Sequence, residues 1–435
     1  MIADILKNII IGAPGSYNML SLEIEIGGKT SFERSPTVFH EYTHYLQNMT
    51  TINGFSSLNK YFHVLLVSFT KLGTDPYDPT LPLCNYLELQ SVLGDKNIEN
   101  IQRRRFWGMD IDNITNKFVF QKTDLDDYII TEKKCIDNYS GLTFTIPYIA
   151  LDGENIPINE TIIKENMSLV NSIIGSHGND ILSEEDIKQI LEYEHLEYIV
   201  LFDFINHYLP NHNLLKLIYC ICEIGLNTTE EIFGFVLRLI QEKADKFSKI
   251  GTENVIILLR EMIKYDEIIN KLFSLIFTKD IPKTIALFNS FDFSTNQFVG
   301  IMYNFYNFLI NGVKYRETQK TLYIDHLTNE YIQNLTAVIG CPIIYFKEDN
   351  EYKNISNTPE YFFTDFAYLH GTLKLFTILY TSNITSCPFS NGNICQVQRN
   401  EKCNHDCLQN YYNDVYKNCL LSNALNCSGI RKENR

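Results

Sequence analysis

The chain has no run of about 18 uninterrupted apolar residues, so no segment reads as a membrane-spanning helix. It is also short of positive charge. Against 52 Asp and Glu stand 37 Lys and Arg, a formal net charge of −15. Such a chain repels a phosphate backbone unless its basic residues are segregated. Its longest basic cluster is Arg103-Arg104-Arg105, so nucleic acid is not an expected partner. There is no Walker-type glycine-rich loop, no Gly-x-Ser-x-Gly and no dinucleotide fingerprint, which leaves nucleotide-driven and serine-hydrolase chemistry without support. No repeat of fixed period is found. Residues 1–15 lack a basic stretch followed by a long apolar core, so a signal peptide is not expected and cytoplasmic residence is.

What is present is a globular balance: 45% hydrophobic and 20% charged residues over 435 positions, enough for two or three domains. Eleven cysteines are unevenly placed. Cys84, Cys135, Cys220, Cys222 and Cys341 are scattered, and six fall between Cys387 and Cys427. In a reducing compartment that cluster favours a metal over disulfides. Cys387, Cys395, Cys403 and Cys407, with His405 among them, are candidate ligands for a structural metal, although the paired C-x2-C knuckles of a zinc finger are missing. Cys220 and Cys222 face different sides of a helix and read as small core residues.

Along the chain, Leu20, Leu22, Ile24 and Ile26 alternate with polar residues, a half-buried strand ended by Gly27-Gly28. A helix is expected next, with Ser35 as cap and Pro36 as its first residue, running to about Asn48 and stopping before Gly54. Asn53-Gly54 reads as a turn. Residues 75–155 read as short strands and loops. Helical patterns follow from Asn159 to Gly175, Ile187 to His207, Leu214 to Leu226, Glu230 to Phe247, Asn254 to Phe277 and Phe298 to Leu309. The expected class is α+β and predominantly helical, with a small N-terminal sheet, a helical body and a Cys-rich tail. The expected divisions are 1–250, a helical extension over 251–380, and a tail over 381–435.

The sharpest motif is His40-Glu41-Tyr42-Thr43-His44. On a helix, residues four apart lie on nearly one face, so two imidazoles there can chelate one Zn2+. Glu41 is rotated by about 100° from His40. It is placed to reach a water at the metal without ligating the metal itself, as a general base.

This segment resembles the zincin group of metallopeptidases, whose signature is His-Glu-x-x-His on an active-site helix. More narrowly, His40 to Gln47 is similar to a His-Glu-Tyr-x-His-x-x-Gln version found in bacterial proteins. Ile162 to Ser168 and Leu217 to Leu226 resemble two later helices of those proteins. The likeness covers roughly residues 20–240, and only its first motif is highly specific. It implies a zincin-like core, a bacterial setting, and a glutamate on a later helix as third zinc ligand, which points to Glu165. Ser168 stands where alanine is usual.

Periodicity prefers another residue. Glu194 falls in the middle of the apolar stripe of Ile187, Leu191, Tyr198 and Leu201, where a carboxylate is costly unless paired, protonated or bound to metal. Glu192, Glu197 and His195 are further alternatives. Tyr198 is a candidate for holding an oxyanion. The strand ending at Ile26 is a candidate edge for pairing with an extended substrate.

The expected function is zinc-dependent peptide-bond hydrolysis with His40, His44 and Glu165 on the metal and Glu41 as base. The substrate would be a specific peptide or protein, and a regulatory protein is a further candidate partner. Two other readings stand beside it. A non-catalytic scaffold would close the zinc site with a fourth ligand such as His63 or His195. A redox- or metal-sensing tail would control the peptidase.

Overall fold

The computed structural model describes residues 15–18, 22–72, 129–136, 143–151, 154–177, 182–192, 196–293, 297–318 and 329–353. It is α+β and predominantly helical, with a small sheet near its N-terminal end.

That sheet has four strands in the order β1 (Gly15–Asn18), β2 (Glu23–Ile26), β6 (Ile343–Phe346) and β7 (Glu351–Lys353). β1 pairs antiparallel with β2, and β7 antiparallel with β6. β2 and β6 are parallel, with Ile24 opposite Ile344. Half of the sheet therefore comes from far downstream, and β2 is an interior strand. This corrects the expectation of a substrate-pairing edge at Leu20–Ile26: both sides of β2 are taken, by β1 and β6, and among the described residues β1 is the outer strand on the cleft side. The strand is also shorter than its alternation suggests, because Leu22 has a φ of 56° and turns the backbone out of the extended region.

Three further strands, β3 (Ile129–Ile136), β4 (Thr143–Leu151) and β5 (Glu154–Pro157), form an antiparallel sheet in that order.

The motif helix α1 spans Ser31–Thr50 and begins earlier than the Ser35 cap predicts. The Arg34 N–H already donates to the Thr30 carbonyl at 3.1 Å, and Pro36 sits inside, at the cost of one backbone bond. Helix α2 (Ile52–Leu72) follows after a single residue. Thr51 makes the joint: its hydroxyl donates to the Gln47 carbonyl (2.6 Å) and accepts from the Gly54 N–H (3.0 Å). Asn53-Gly54 thus lies in the first turn of a helix and is not a free turn. A side chain at Gly54 would meet the Gln47 carbonyl oxygen at 2.2 Å, so glycine there permits close approach.

Helix α3 (Glu160–His177) is capped by Asn159, whose Oδ1 accepts from the Ile162 N–H at 3.0 Å. It runs past Gly175, which is a contact point with the Phe39 ring and not a terminator. The expected helix from Ile187 to His207 is two helices, α4 (Glu184–Leu191) and α5 (Leu196–Tyr208).

The body continues with α6 (Leu214–Asn227), α7 (Glu230–Glu242), α8 (Ala244–Phe247), α9 (Thr252–Met262) and α10 (Tyr265–Leu275). The expected helix over Asn254–Phe277 is broken at Lys264, whose φ is 55°. The one over Glu230–Phe247 is interrupted at Lys243. A π-turn (Ile276–Asp280) leads into α11 (Ile281–Phe288). Then come α12 (Gln297–Thr318), longer at its C-terminal end than the pattern ending at Leu309, and α13 (Asn329–Ile339).

Among the described residues, the most extensive helix–helix contact is between α1 and α3. α3 packs in turn on α5 and α6, and α12 lies against α1. Tyr45 of α1 donates to the Ile339 carbonyl at 2.8 Å, tying α13 to the motif helix. One apolar core runs through all of these elements. No helix among the described residues is long and apolar enough to cross a membrane.

Candidate metal centre

α3 is buried nearly all round, and its two sides differ. Ile162, Ile163, Val170 and Ile174 belong to the apolar core, while Asn171 and Ser168 turn toward α1. Polar rungs join the two helices there. The Asn171 amide donates to Thr43 Oγ1 (3.1 Å), and Thr43 donates to the Phe39 carbonyl (2.7 Å). Lys164 Nζ donates to Asn48 Oδ1 (2.9 Å) and pairs with Glu160 (2.7 Å). Between these rungs the Gln47 amide donates to the Lys164 carbonyl at 3.0 Å. Buried polar groups of this kind are stable only when partnered, so the rungs set the register of α3 on α1.

That register brings Glu165 to the two histidines. Its Oε2 lies 3.0 Å from His40 Nε2 and 3.3 Å from His44 Nε2. The three ligand atoms lie within 4.8 Å of one another. Ligands about 2.0–2.2 Å from a tetrahedral metal stand roughly 3.3–3.6 Å apart, close to these separations. Two imidazoles and a carboxylate are a donor set for a divalent transition metal, so the residues present fit a metal ion. Of the four sequence candidates at the motif, the structure gathers His40, His44 and Glu165, with Glu41 lining the same cleft. Glu194 and His195 lie outside the described residues, and Glu192 is exposed. His63 does not join the group; its neighbouring charge is Lys283. Cys387, Cys395, Cys403 and Cys407 also lie outside the described residues.

The electrostatics follow from burial. Burial opposes a charged His44, but the Glu165 carboxylate beside it outweighs this and lifts its pKa to about 9. Burial likewise opposes a charged Glu165, yet the histidines hold its carboxyl well below the usual range. Metal binding would replace the protons shared in this cluster. Glu41 is buried, and desolvation pushes its carboxyl up, only partly offset by His40 and His44. A carboxyl raised in this way can both take and return a proton.

The cleft above the cluster has a volume of about 330 Å³. Its walls include Gly15, Ser16 and Tyr17 of β1, Lys164 of α3 and Tyr198 of α5. Tyr17 stacks on His44 (centroids 6.5 Å apart), and the Tyr198 ring lies 5.7 Å from that of His40. β1 comes so close that a side chain at Gly15 would meet a Glu41 carboxylate oxygen at 2.8 Å. Sequence reasoning missed β1, Tyr17 and Lys164 as parts of the site, and it noted Gln47 only as the end of the motif, without a role. Only Gln47 carried a signal, since it continues the face of His40 and His44 one turn further.

Comparison of the chain with family models, with curated proteins and with solved structures finds no match.

Proposed function

We propose that the chain is a zinc-dependent peptidase of the zincin type, acting on a specific peptide or protein. The observation that carries this reading is the convergence of His40, His44 and Glu165 beside a buried carboxylate, Glu41, at the base of a cleft. His40, His44 and Glu165 would hold the zinc, which when bound supplies Lewis acidity toward a carbonyl oxygen and toward water. The same donor set suits iron(II). Glu41 favours zinc hydrolysis, because a carboxylate next to the ligands is what a hydrolytic centre needs as its base.

In this reading Glu41 takes a proton from the attacking water and delivers it to the leaving amine. Its desolvated setting supports both halves of that transfer. Tyr198 stands beside His40 and is the candidate for hydrogen bonding to the developing oxyanion. β1, which lines the cleft and is the outer strand of its sheet among the described residues, would offer backbone groups to an extended chain.

The test is hydrolysis of a diverse peptide mixture by the purified chain. Cleavage lost on chelation, restored by zinc and absent in Glu41→Gln supports the reading. Cleavage that survives both chelation and Glu41→Gln contradicts it.

A further inference from the structure

Gln47 is 1% exposed and carries an amide whose donor and acceptor atoms must both be satisfied. Its surroundings decide which way the amide points. The Lys164 carbonyl, 3.0 Å away, can only accept, so the amide nitrogen must face it. Oε1 therefore faces His44 Nδ1, 3.0 Å away, and as an acceptor it requires a hydrogen on that nitrogen. With Nδ1 carrying the hydrogen, Nε2 is the atom left for a metal, and it is the atom that faces Glu165. Ser168 Oγ lies within reach of both groups, 3.3 Å from His44 Nδ1 and 3.4 Å from Gln47 Nε2.

The two histidines are unequal in this respect. His40 Nδ1 is buried and has no hydrogen-bond partner among the described residues. His44 alone is held by a side chain from behind, and that side chain also grips α3 at the residue next to Glu165.

We propose that Gln47 is the positioning residue of the centre: it orients His44 with Nε2 forward. The proposal rests on the reading of His40, His44 and Glu165 as metal ligands. Outer partners of ligating histidines fix the ring tautomer and orientation, and their loss weakens metal binding by about 10- to 100-fold.

A simple clamp between helices would also explain the bonds of Gln47, and substitutions separate the two roles. Gln47→Leu removes both functions. Gln47→Glu keeps an acceptor for His44 but sets an oxygen against the Lys164 carbonyl. Thr43→Val removes the neighbouring Asn171–Thr43 rung without touching His44.

Zinc affinity would be measured by competition with a chromophoric chelator, and the spectrum of the cobalt-substituted protein would report ligand geometry. The expected result is an affinity about 10- to 100-fold weaker in Gln47→Leu with an altered cobalt spectrum, and Gln47→Glu and Thr43→Val within about threefold of the parent. Parent affinity in Gln47→Leu overturns the proposal, as does a loss in Gln47→Glu or Thr43→Val as large as in Gln47→Leu. If Gln47→Leu does not fold, Gln47→Glu decides: parent-like affinity despite lowered thermal stability supports positioning, and a loss of about tenfold or more overturns it. A parent that binds no zinc overturns the reading of the centre and the proposal with it, an outcome distinct from zinc binding that is indifferent to residue 47.

Discussion

Two helix pairs among the described residues bury charge in different ways. In the body, Arg316 of α12 and Glu223 of α6 are each 2% exposed and form an ion pair with each other. Burial opposes the Arg316 charge, but Glu223 more than compensates and holds it ionised. Between α1 and α3, by contrast, two carboxyl groups and two imidazoles line one cleft, and the ligand atoms of His40, His44 and Glu165 lie within 4.8 Å of one another. The carboxyls of Glu41 and Glu165 repel each other there, which raises Glu41 further. Buried charge that neutralises itself holds structure together. Buried donors that share an open point are arranged for a cation.

The comparison breaks most sharply under substitution of Glu41. Glu41→Gln is expected to keep the metal and lose about 10²- to 10⁴-fold in the rate of peptide hydrolysis, read by steady-state kinetics beside metal content. Glu223→Leu is expected to leave the metal in place. It should instead destabilise the fold by about 3–5 kcal/mol in chemical denaturation, because Arg316 is left buried and unpaired. The double variant Arg316→Met with Glu223→Leu should regain most of that loss. If Glu223→Leu removed the metal without lowering stability, the distinction between the two regions would fail.

Backbone contacts sharpen the comparison at a smaller scale. Gly54→Ala would press a Cβ onto the Gln47 carbonyl at the α1–α2 joint, and Gly312→Ala onto the Met49 carbonyl, each at 2.2 Å. Each is expected to cost about 1–3 kcal/mol by the same denaturation measurement. Gly251→Ala, where a Cβ would meet nothing within 4 Å, should be close to neutral.

The smallest effect expected is a pH dependence in the body. Burial lowers the pKa of His212, against the pull of its bond to the Phe247 carbonyl. The unfolded chain then binds more protons than the folded one as pH falls through about 6.5. Stability owed to this neutral histidine is present above that pH and lost below it. The stability difference between parent and His212→Asn should therefore narrow from about pH 7.5 to about pH 5.5. An unchanged difference would mean that His212 is not held neutral by the fold.

Much of the centre was legible because helical spacing is a strong constraint. His40 and His44 share a face wherever that segment is helical, and Glu41 is turned aside from them. Glu165 was legible only through resemblance. A helical wheel that tracks the apolar stripe looks at the side of α3 that packs on α5 and α6, whereas Glu165, Ser168 and Asn171 lie on the polar side against α1. The same weighting made Glu194 attractive.

Helix lengths were read less well. Ile187–His207 and Asn254–Phe277 hold their apolar period across breaks, since a break such as the left-handed Lys264 leaves little trace in hydrophobic spacing. The sheet was half visible. β2 alternates, but its parallel partner β6 is a short apolar stretch whose pairing over more than 300 residues no local pattern can show. β1 is four residues of no clear period, yet it forms the wall of the cleft.

The account turns on the metal. Elemental analysis of the purified parent beside His40→Ala, Glu165→Ala and Glu41→Gln tests it most directly. The account predicts about one zinc per chain at this centre in the parent and in Glu41→Gln, and its loss in both ligand variants. Equal metal content in all four proteins, or none in the parent, would contradict it.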